Sequence, residues 1–188
     1  TAWELLGAYL SDKGYSLSVI AKKLSNEALN QMLIELRLRH GVQSHHRGNT
    51  AVAGYRTLKR GEILGMLIDQ NINTDGVMAP FFGRPAWTPI GPAVFALRSG
   101  AAVVPMAIHM QSGGTHQITI LPELEHPPED MPERERQEIL MKDMTASIEQ
   151  LVRLYPQQWV WFHDRWHIRK ERLEKEEDSG YLEMDGTA

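Results

Sequence analysis

A strand pattern at residues 62–68 constrains the fold more than any other feature of this chain. The segment EILGMLI suits a buried strand, and it leads directly into Asp69 and Gln70. Helical patterns precede and follow it along the sequence. Buried strands that alternate with helices are typical of α/β proteins, which bind ligands at the carboxyl ends of their strands. The sequence therefore predicts an α/β fold with polar chemistry just after this strand.

The rest of the chain supplies further strands around this one. Residues 16–21 alternate like a half-buried strand, and residues 102–108 form another apolar strand pattern. The alternating segment 117–121 should pair with the latter as a hairpin. The polar stretch 43–49 and the Pro- and Gly-rich stretch 76–88 are predicted to be loops.

Helices are predicted from apolar spacing and end signals. Asn26 should cap one helix, and Thr88 should cap another that has Pro89 at its first position. A first helix near residue 3, a short amphipathic helix near residues 50–60 and a long helix ending near Leu154 are also predicted. The helix after Asn26 carries its apolar residues on one side: Leu29, Met32, Leu33, Leu36 and Leu38.

These elements predict a single α/β domain with a mixed, mostly parallel sheet flanked by helices, because the late hairpin is antiparallel. The domain should occupy residues 1–168, and residues 169–188 should form a charged tail. The chain begins with Thr1 inside a helical pattern that has no cap, which indicates a piece of a longer protein.

Composition excludes several function classes. The 188 residues are 42% hydrophobic and 23% charged, and none is cysteine, so disulfides and thiolate nucleophiles are excluded. Scattered basic residues and a net charge of −4 argue against nucleic-acid binding. Residues 1–100 carry 11 Lys and Arg against 7 Asp and Glu, and this basic half could face anionic lipid or an acidic carrier protein. A random imbalance of surface charge explains it equally well.

Four segments stand out in order along the chain: residues 3–10 (WELLGAYL), 69–71 (DQN) with 80–88 (PFFGRPAWT), Val104-Pro105, and 158–166 (QWVWFHDRW). Together they resemble the late acyltransferases of bacterial lipid A biosynthesis, the lauroyl and myristoyl transferase group. The first segment is similar to the end of the family's HxxxxE motif, the second to its DQ…PFFGxPAxT block and the last to its QWxWxHxR signature. The resemblance covers residues 1–168.

The resemblance implies a glycerolipid acyltransferase-like fold and an O-acyltransferase. Such an enzyme would move a fatty acyl group from acyl carrier protein to a hydroxyl of a membrane glycolipid, here a lipid A precursor. It would work at the cytoplasmic face of the bacterial inner membrane, attached through N-terminal residues beyond this chain. The resemblance implies neither a metal ion nor a bound cofactor.

Glu4 is the catalytic residue that the resemblance assigns. The motif His, the general base, would stand five positions before Glu4 and therefore outside this chain, so the chain by itself is expected to be inactive. The family's Gly-Asn pair before Trp-Glu is here Thr1-Ala2. An imidazole can take the acceptor hydroxyl's proton near neutral pH, and a carboxylate beside it can fix its tautomer.

Arg47, Asp69, Gln70 and Arg84 are the predicted substrate-binding residues. A guanidinium suits phosphate because of its bidentate fork, and Asp69 at a strand end could accept a hydrogen bond from a substrate hydroxyl. A solvated loop arginine and a turn-ordering aspartate are the ordinary alternatives. Arg98 is a weaker candidate for contact with phosphate or carrier.

Other tempting residues carry less weight. His45 and His46 are adjacent on a polar stretch, which makes them poor metal ligands without a third group. Phe81 and Phe82 could line an acyl-chain pocket or fill the core. The aromatic segment 156–167 could form an interfacial belt, but it is predicted to pack near the active site, with His163 and Arg165 structural.

Two other functions remain open at this point. The acceptor could be another glycolipid, such as a phosphatidylinositol mannoside. The protein could also be a catalytically inactive relative that binds acyl carrier or lipid without turnover.

Overall fold

The computed structural model describes residues 2–46 and 50–167, with only the backbone of His46. Residues 168–188, which hold the predicted tail, lie outside the described part, as does Arg47. The helices are α1 (Trp3–Asp12), α2 (Glu27–Arg39), α3 (Thr50–Lys59), α4 (Gly91–Ser99) and α5 (Glu133–Leu154), followed by a 3-10 turn at Pro156–Gln158. The strands are β1 (Leu17–Ala21), β2 (Val42–His46), β3 (Ile63–Gly65), β4 (Gly76–Phe81), β5 (Arg84–Pro89), β6 (Met106–Met110) and β7 (His116–Ile120).

The predicted α/β class is confirmed. Three strands form a parallel sheet in the order β2-β1-β3, and helices join them along the chain. The antiparallel pairs lie in two separate two-stranded sheets, β4-β5 and β6-β7. Helix α1, which carries Glu4, packs on β1 and β2 of the parallel sheet and also on β6.

Helix α1 runs antiparallel to β1 and β2. Near its C-terminal end, Ser11 lies against Gly41, just before β2, and Gly7 lies near Leu17 and Val42, the first residues of β1 and β2. The N-terminal end of α1 therefore points towards the carboxyl edge of the parallel sheet. That end carries Glu4.

Helix α2 begins where the sequence predicts, but its orientation is different. The side chain of Asn26 accepts a hydrogen bond from the Leu29 N–H, as expected of an N-cap. The buried residues of α2 are Asn30 and Arg37, whereas its apolar side is largely exposed. Polar contacts turn the helix this way: Asn30 accepts from the Leu24 N–H, and Arg37 binds Glu4. The exposed members of the apolar side are Leu29, Met32, Leu36 and Leu38.

The segment predicted as a loop at residues 76–88 is the hairpin β4-β5. Phe82 (φ 52°) and Gly83 (φ 71°) form a two-residue turn with both φ angles positive, which matches the right-handed twist of paired strands. Pro80 lies opposite Pro85 in this hairpin. Proline normally demotes a strand pattern, but here the two prolines sit in a two-stranded ribbon with free edges.

Several element boundaries also differ from the prediction. The buried strand predicted at residues 62–68 is the shorter β3, Ile63–Gly65, whose residues are only partly buried, and residues 66–68 have no regular structure. Thr88 and Pro89 end β5 instead of starting a helix, and α4 begins at Gly91 after the N-cap Ile90. The strand predicted to begin at residue 102 begins at Met106, as β6. Before it, Val103 makes only an isolated bridge to Leu124. Strand β2 occupies part of the polar stretch predicted as a loop, because parallel pairing with β1 satisfies its backbone whatever its side chains are.

Two apolar clusters hold the C-terminal half together. The larger one joins α4 and α5, and its fully buried members include Ala93, Leu140 and Met141. The smaller one joins the hairpin to α5 through Phe81, Ala86 and Val152. Within residues 2–46 and 50–167, none of the helices combines the length and the apolar character needed to cross a bilayer.

The Phe82-Gly83 turn predicts a stability effect of known sign. Replacing Gly83 by Ala should lower the free energy of unfolding by about 1–2 kcal/mol, because an L side chain is strained at φ 71° although no atom lies within 4 Å of the new methyl group. Urea denaturation followed by circular dichroism measures this change. As the matched control, Gly7→Ala in α1 should be neutral or stabilising, since the new methyl group would meet Leu17 at an ordinary 3.5 Å. Equal effects of the two substitutions would contradict the turn conformation.

Candidate active site

Glu4 is held by a two-point contact with Arg37. Arg37 donates from Nε to Glu4 Oε2 at 3.0 Å and from Nη2 to Glu4 Oε1 at 2.6 Å. Charge-assisted pairs of this parallel kind fix direction as well as distance. The carboxylate of Glu4 is therefore held in one orientation before any substrate binds.

Further contacts hold the Arg37 side chain in place. Its side chain is 8% exposed, it donates from Nη1 to Ser44 Oγ at 3.2 Å, and it stacks over the Trp3 ring at 4.9 Å. These contacts join α1, α2 and β2 at one point. Sequence reasoning missed Arg37, because a single arginine late in a leucine-rich helix has no distinctive pattern.

The pair leaves Glu4 with unused acceptor capacity. An ionised carboxylate has about four lone-pair positions, and Arg37 occupies two of them. The Glu4 side chain remains 31% exposed. A donor such as an imidazole N–H could therefore still bind Glu4 from the open side.

Asp69 lies in the loop after β3, which ends at Gly65, and it accepts a hydrogen bond from the indole N–H of Trp159 at 3.0 Å. Because β3 is parallel to β1, residues that follow β3 lie towards the same edge of the sheet as the N-terminal end of α1. Among the described residues, Glu4 and Asp69 share no hydrogen-bond partner. Glu4 binds Arg37, and Asp69 binds the C-terminal aromatic segment.

The C-terminal segment 159–167 packs against the predicted site, as the sequence indicated. The Asn71 N–H donates to His163 Nε2 at 2.8 Å, and Trp166 Nε1 donates to the Phe81 carbonyl at 3.0 Å. The Asn71 side-chain amide also donates to the His167 carbonyl. The segment thus joins the Asp69 loop to the hairpin β4-β5.

Arg165 anchors this segment in the interior. Its side chain is 1% exposed and donates to the Trp87 carbonyl and to Thr88 Oγ1, both at 2.6 Å. It also stacks over the Phe81 ring. Burial lowers the pKa of Arg165 to about 10, and the negative charge of Asp69 partly offsets that shift. Asp69 thus contributes to holding a buried cation as well as to the edge of the sheet.

The remaining predicted residues occupy varied positions. Gln70 is exposed, and Arg84 is exposed with its guanidinium over the Trp166 ring at 5.2 Å. Arg98 is paired with Glu133 at 3.0 Å on the surface. Arg47 lies outside the described residues, so its place in the site remains a prediction.

The phenylalanine pair divides between two environments. Phe81 is 1% exposed and lies in the core between the hairpin and α5. Phe82 lies at the turn, where its N–H donates to Glu149 at 2.5 Å and Arg153 stacks on its ring. Of the two roles considered, core filling therefore describes Phe81.

His45 contacts Thr57 Oγ1 through Nε2 at 3.3 Å. Within the described ranges 2–46 and 50–167, no three His, Asp or Glu side chains are grouped closely enough to hold a metal ion. Two open cavities of about 410 and 550 Å³ lie elsewhere on the surface. The first is bordered by residues 123–126, and the second lies along α5 beside Pro80.

The geometry can be compared with known proteins. The family model of bacterial lipid A biosynthesis acyltransferases matches residues 1–168. The chain belongs to this family. The match includes Glu4, Asp69 and the C-terminal segment, so the residues singled out above all lie within the family region.

Individual relatives are similar at low identity. A phosphatidylinositol mannoside acyltransferase of Mycobacterium tuberculosis is 28% identical over 108 residues, which cover 55% of this chain and 34% of that protein. One of Mycolicibacterium smegmatis is 22% identical over 169 residues, or 87% of this chain and 53% of that protein. A lipid A biosynthesis lauroyltransferase of Escherichia coli is 29% identical over 119 residues, or 62% of this chain and 37% of that protein. The aligned regions thus span between about a third and about half of the length of these relatives.

The Glu4–Arg37 contact predicts a measurable coupling. A double-mutant cycle of Glu4→Gln and Arg37→Gln should give an interaction free energy of about 1–3 kcal/mol, because the pair is charge-assisted and largely buried on the arginine side. The same cycle on the surface pair Arg98–Glu133 should give about 0–1 kcal/mol. Chemical denaturation of the single and double variants measures both. A Glu4–Arg37 coupling no larger than that of the surface pair would contradict the geometry described.

Proposed function

We propose that this chain is part of an O-acyltransferase that moves a fatty acyl group from acyl carrier protein to a hydroxyl of a membrane glycolipid. A lipid A precursor is the first acceptor to consider. The family match over residues 1–168 is the observation that carries the proposal. The geometry of Glu4 supports it.

Acyl transfer from a thioester to an alcohol requires a base that removes the hydroxyl proton as the oxygen attacks the carbonyl carbon. The thiolate then leaves, and the proton that the base took can pass to it. A histidine five positions before Glu4 in the complete protein would be that base. Glu4 would accept its second N–H, which fixes the tautomer and stabilises the imidazolium. Arg37 contributes by holding the Glu4 carboxylate in one orientation.

Asp69, Gln70, Arg84 and Arg47 are proposed to bind the acceptor. Among the side chains that the structure describes, Trp159 donates one hydrogen bond to the Asp69 carboxylate, which leaves acceptor capacity for a sugar hydroxyl. Arg84 is exposed and could contact a phosphate. Arg98 is a weaker candidate, because its guanidinium already forms a salt bridge with Glu133.

The proposed location follows from the acceptor. A glycolipid stays in the membrane, so the enzyme would work at the cytoplasmic face of the bacterial inner membrane, where acyl carrier protein is available. Residues beyond this chain would provide the attachment. A complete protein that fractionates as fully soluble without salt or detergent would count against this location.

A phosphatidylinositol mannoside is the second candidate acceptor. Its support is specific: the relative that aligns with 87% of this chain is named a phosphatidylinositol mannoside acyltransferase. Both acceptors are sugar lipids with a free hydroxyl, so the same base chemistry serves either.

Activity of the complete protein tests the proposal. Purified protein is given radiolabelled acyl carrier protein thioester with a lipid A precursor or with a phosphatidylinositol mannoside, each in mixed micelles, and acylated lipid is separated and counted. Transfer to one acceptor is expected at a rate well above the protein-free reaction. Absence of transfer to either glycolipid would favour an inactive, binding relative.

Glu4→Gln in the complete protein should lower kcat by about 10²- to 10⁴-fold, because the base loses its orienting carboxylate. The matched control is Glu35→Gln, which removes an exposed glutamate of α2 and should leave kcat unchanged. Circular dichroism of both variants checks that they are folded. Wild-type kcat in the Glu4 variant would remove this residue from the mechanism.

A further inference from the structure

The loop between β3 and β4 has no regular structure of its own. Residues 66–75 contain neither helix nor strand, although they carry Asp69 and Gln70. A loop of this kind can hold a functional side chain in place only through contacts from elsewhere in the protein. The segment 159–167 provides such contacts, and we call it the C-terminal clasp.

Besides the hydrogen bond from the Asn71 side chain to the His167 carbonyl, the clasp makes two contacts with the loop, at positions two residues apart. Trp159 donates to the side chain of Asp69 at 3.0 Å, and His163 accepts from the main-chain N–H of Asn71 at 2.8 Å. The first contact sets the carboxylate, and the second sets the backbone that carries it. Together they fix the direction in which the loop leaves β3.

The role of His163 is defined by its partner. A main-chain N–H can only donate, so Nε2 of His163 must carry no proton, and the ring must be neutral with its proton on Nδ1. A side chain that cannot accept at this position would leave the Asn71 N–H without this partner. The requirement is for an acceptor atom and not for a histidine as such.

The clasp is itself rigidly held. Arg165, two residues after His163, is buried and donates to the Trp87 carbonyl and the Thr88 hydroxyl. Trp166 donates to the Phe81 carbonyl. The clasp is therefore anchored on the hairpin β4-β5, and it can transmit that rigidity to the Asp69 loop.

We infer that His163 is a positioning residue for acceptor binding: its neutral imidazole holds the Asn71 backbone and thereby places Asp69 for the glycolipid hydroxyl. The inference rests on the proposed function for its catalytic meaning. Its structural part, the hydrogen bond to the Asn71 N–H, can be tested without any substrate.

Three variants separate the possibilities. His163→Phe keeps an aromatic ring without an acceptor, whereas His163→Gln offers an amide oxygen that can accept the same N–H. The control is His167→Gln, which makes the same exchange in the clasp but on an exposed side chain. The His167 carbonyl that accepts from Asn71 is unchanged in that control.

Hydrogen exchange of the complete protein measures the structural part. In His163→Phe, exchange at the Asn71 amide should accelerate by about tenfold, on the order expected for a lost hydrogen bond. In His163→Gln and His167→Gln it should stay within about twofold of wild type. Unchanged exchange in the Phe variant would overturn the inference, because the bond would then not hold the loop.

Steady-state kinetics measure the functional part. His163→Phe should raise KM for the acceptor by about tenfold and change kcat by less than about twofold, and His163→Gln should restore KM. Faster exchange with an unchanged acceptor KM would show that the loop does not contribute to acceptor binding, which also overturns the inference.

If wild type transfers no acyl group at all, the proposed function fails, while the exchange result still decides whether the clasp holds the loop. If the Phe variant does not fold, the Gln variant tests the same claim. The inference requires wild-type exchange at the Asn71 amide and a wild-type acceptor KM in that variant, and a change in either would contradict it.

Discussion

The paired hydrogen bonds between Glu4 and Arg37 are the interaction on which the candidate site depends. They join the first turn of α1 to the end of α2, and Arg37 continues to Ser44 of β2. A buried arginine without its carboxylate would be costly, so the two side chains fix each other. The same contact explains why α2 turns polar residues inward and leaves its leucines exposed. The oriented carboxylate that the proposed mechanism requires and the partner that a buried arginine requires are thus the same side chain.

A second buried arginine organises the other half of the site. Arg165 enters the interior between Trp87, Thr88 and Phe81 without a direct ion pair among the described residues, and burial lowers its pKa. Its main-chain and hydroxyl acceptors tie the C-terminal clasp to the hairpin. The segment that resembles the family's QWxWxHxR signature therefore has a structural explanation for three of its side chains. Trp159 binds Asp69, His163 binds the Asn71 N–H, and Arg165 binds the hairpin β4-β5.

Much of the fold could be predicted from local signals. The Asn26 cap, strand β1, strand β7 and the long helix α5 follow from capping chemistry and from apolar spacing. The hairpin at residues 76–89 could not, since its two prolines argue against a strand and only their placement in a two-stranded ribbon permits one. Arg37 could not be predicted as part of the site either, because its significance lies in a contact with a residue 33 positions away. The family resemblance supplied Glu4, which periodicity alone would have left as an ordinary surface acid, whereas the strand pattern before Asp69 already indicated polar chemistry there.

The central claim is that Glu4 contributes to catalysis through an orientation that Arg37 imposes. The most direct measurement is kcat for acyl transfer by the complete protein carrying Arg37→Lys, which retains the positive charge but cannot make the two parallel hydrogen bonds. A loss of kcat of about tenfold or more, with the protein still folded, is the result expected from this geometry. Wild-type kcat in that variant would show that charge alone is sufficient and that the paired contact has no role in the reaction.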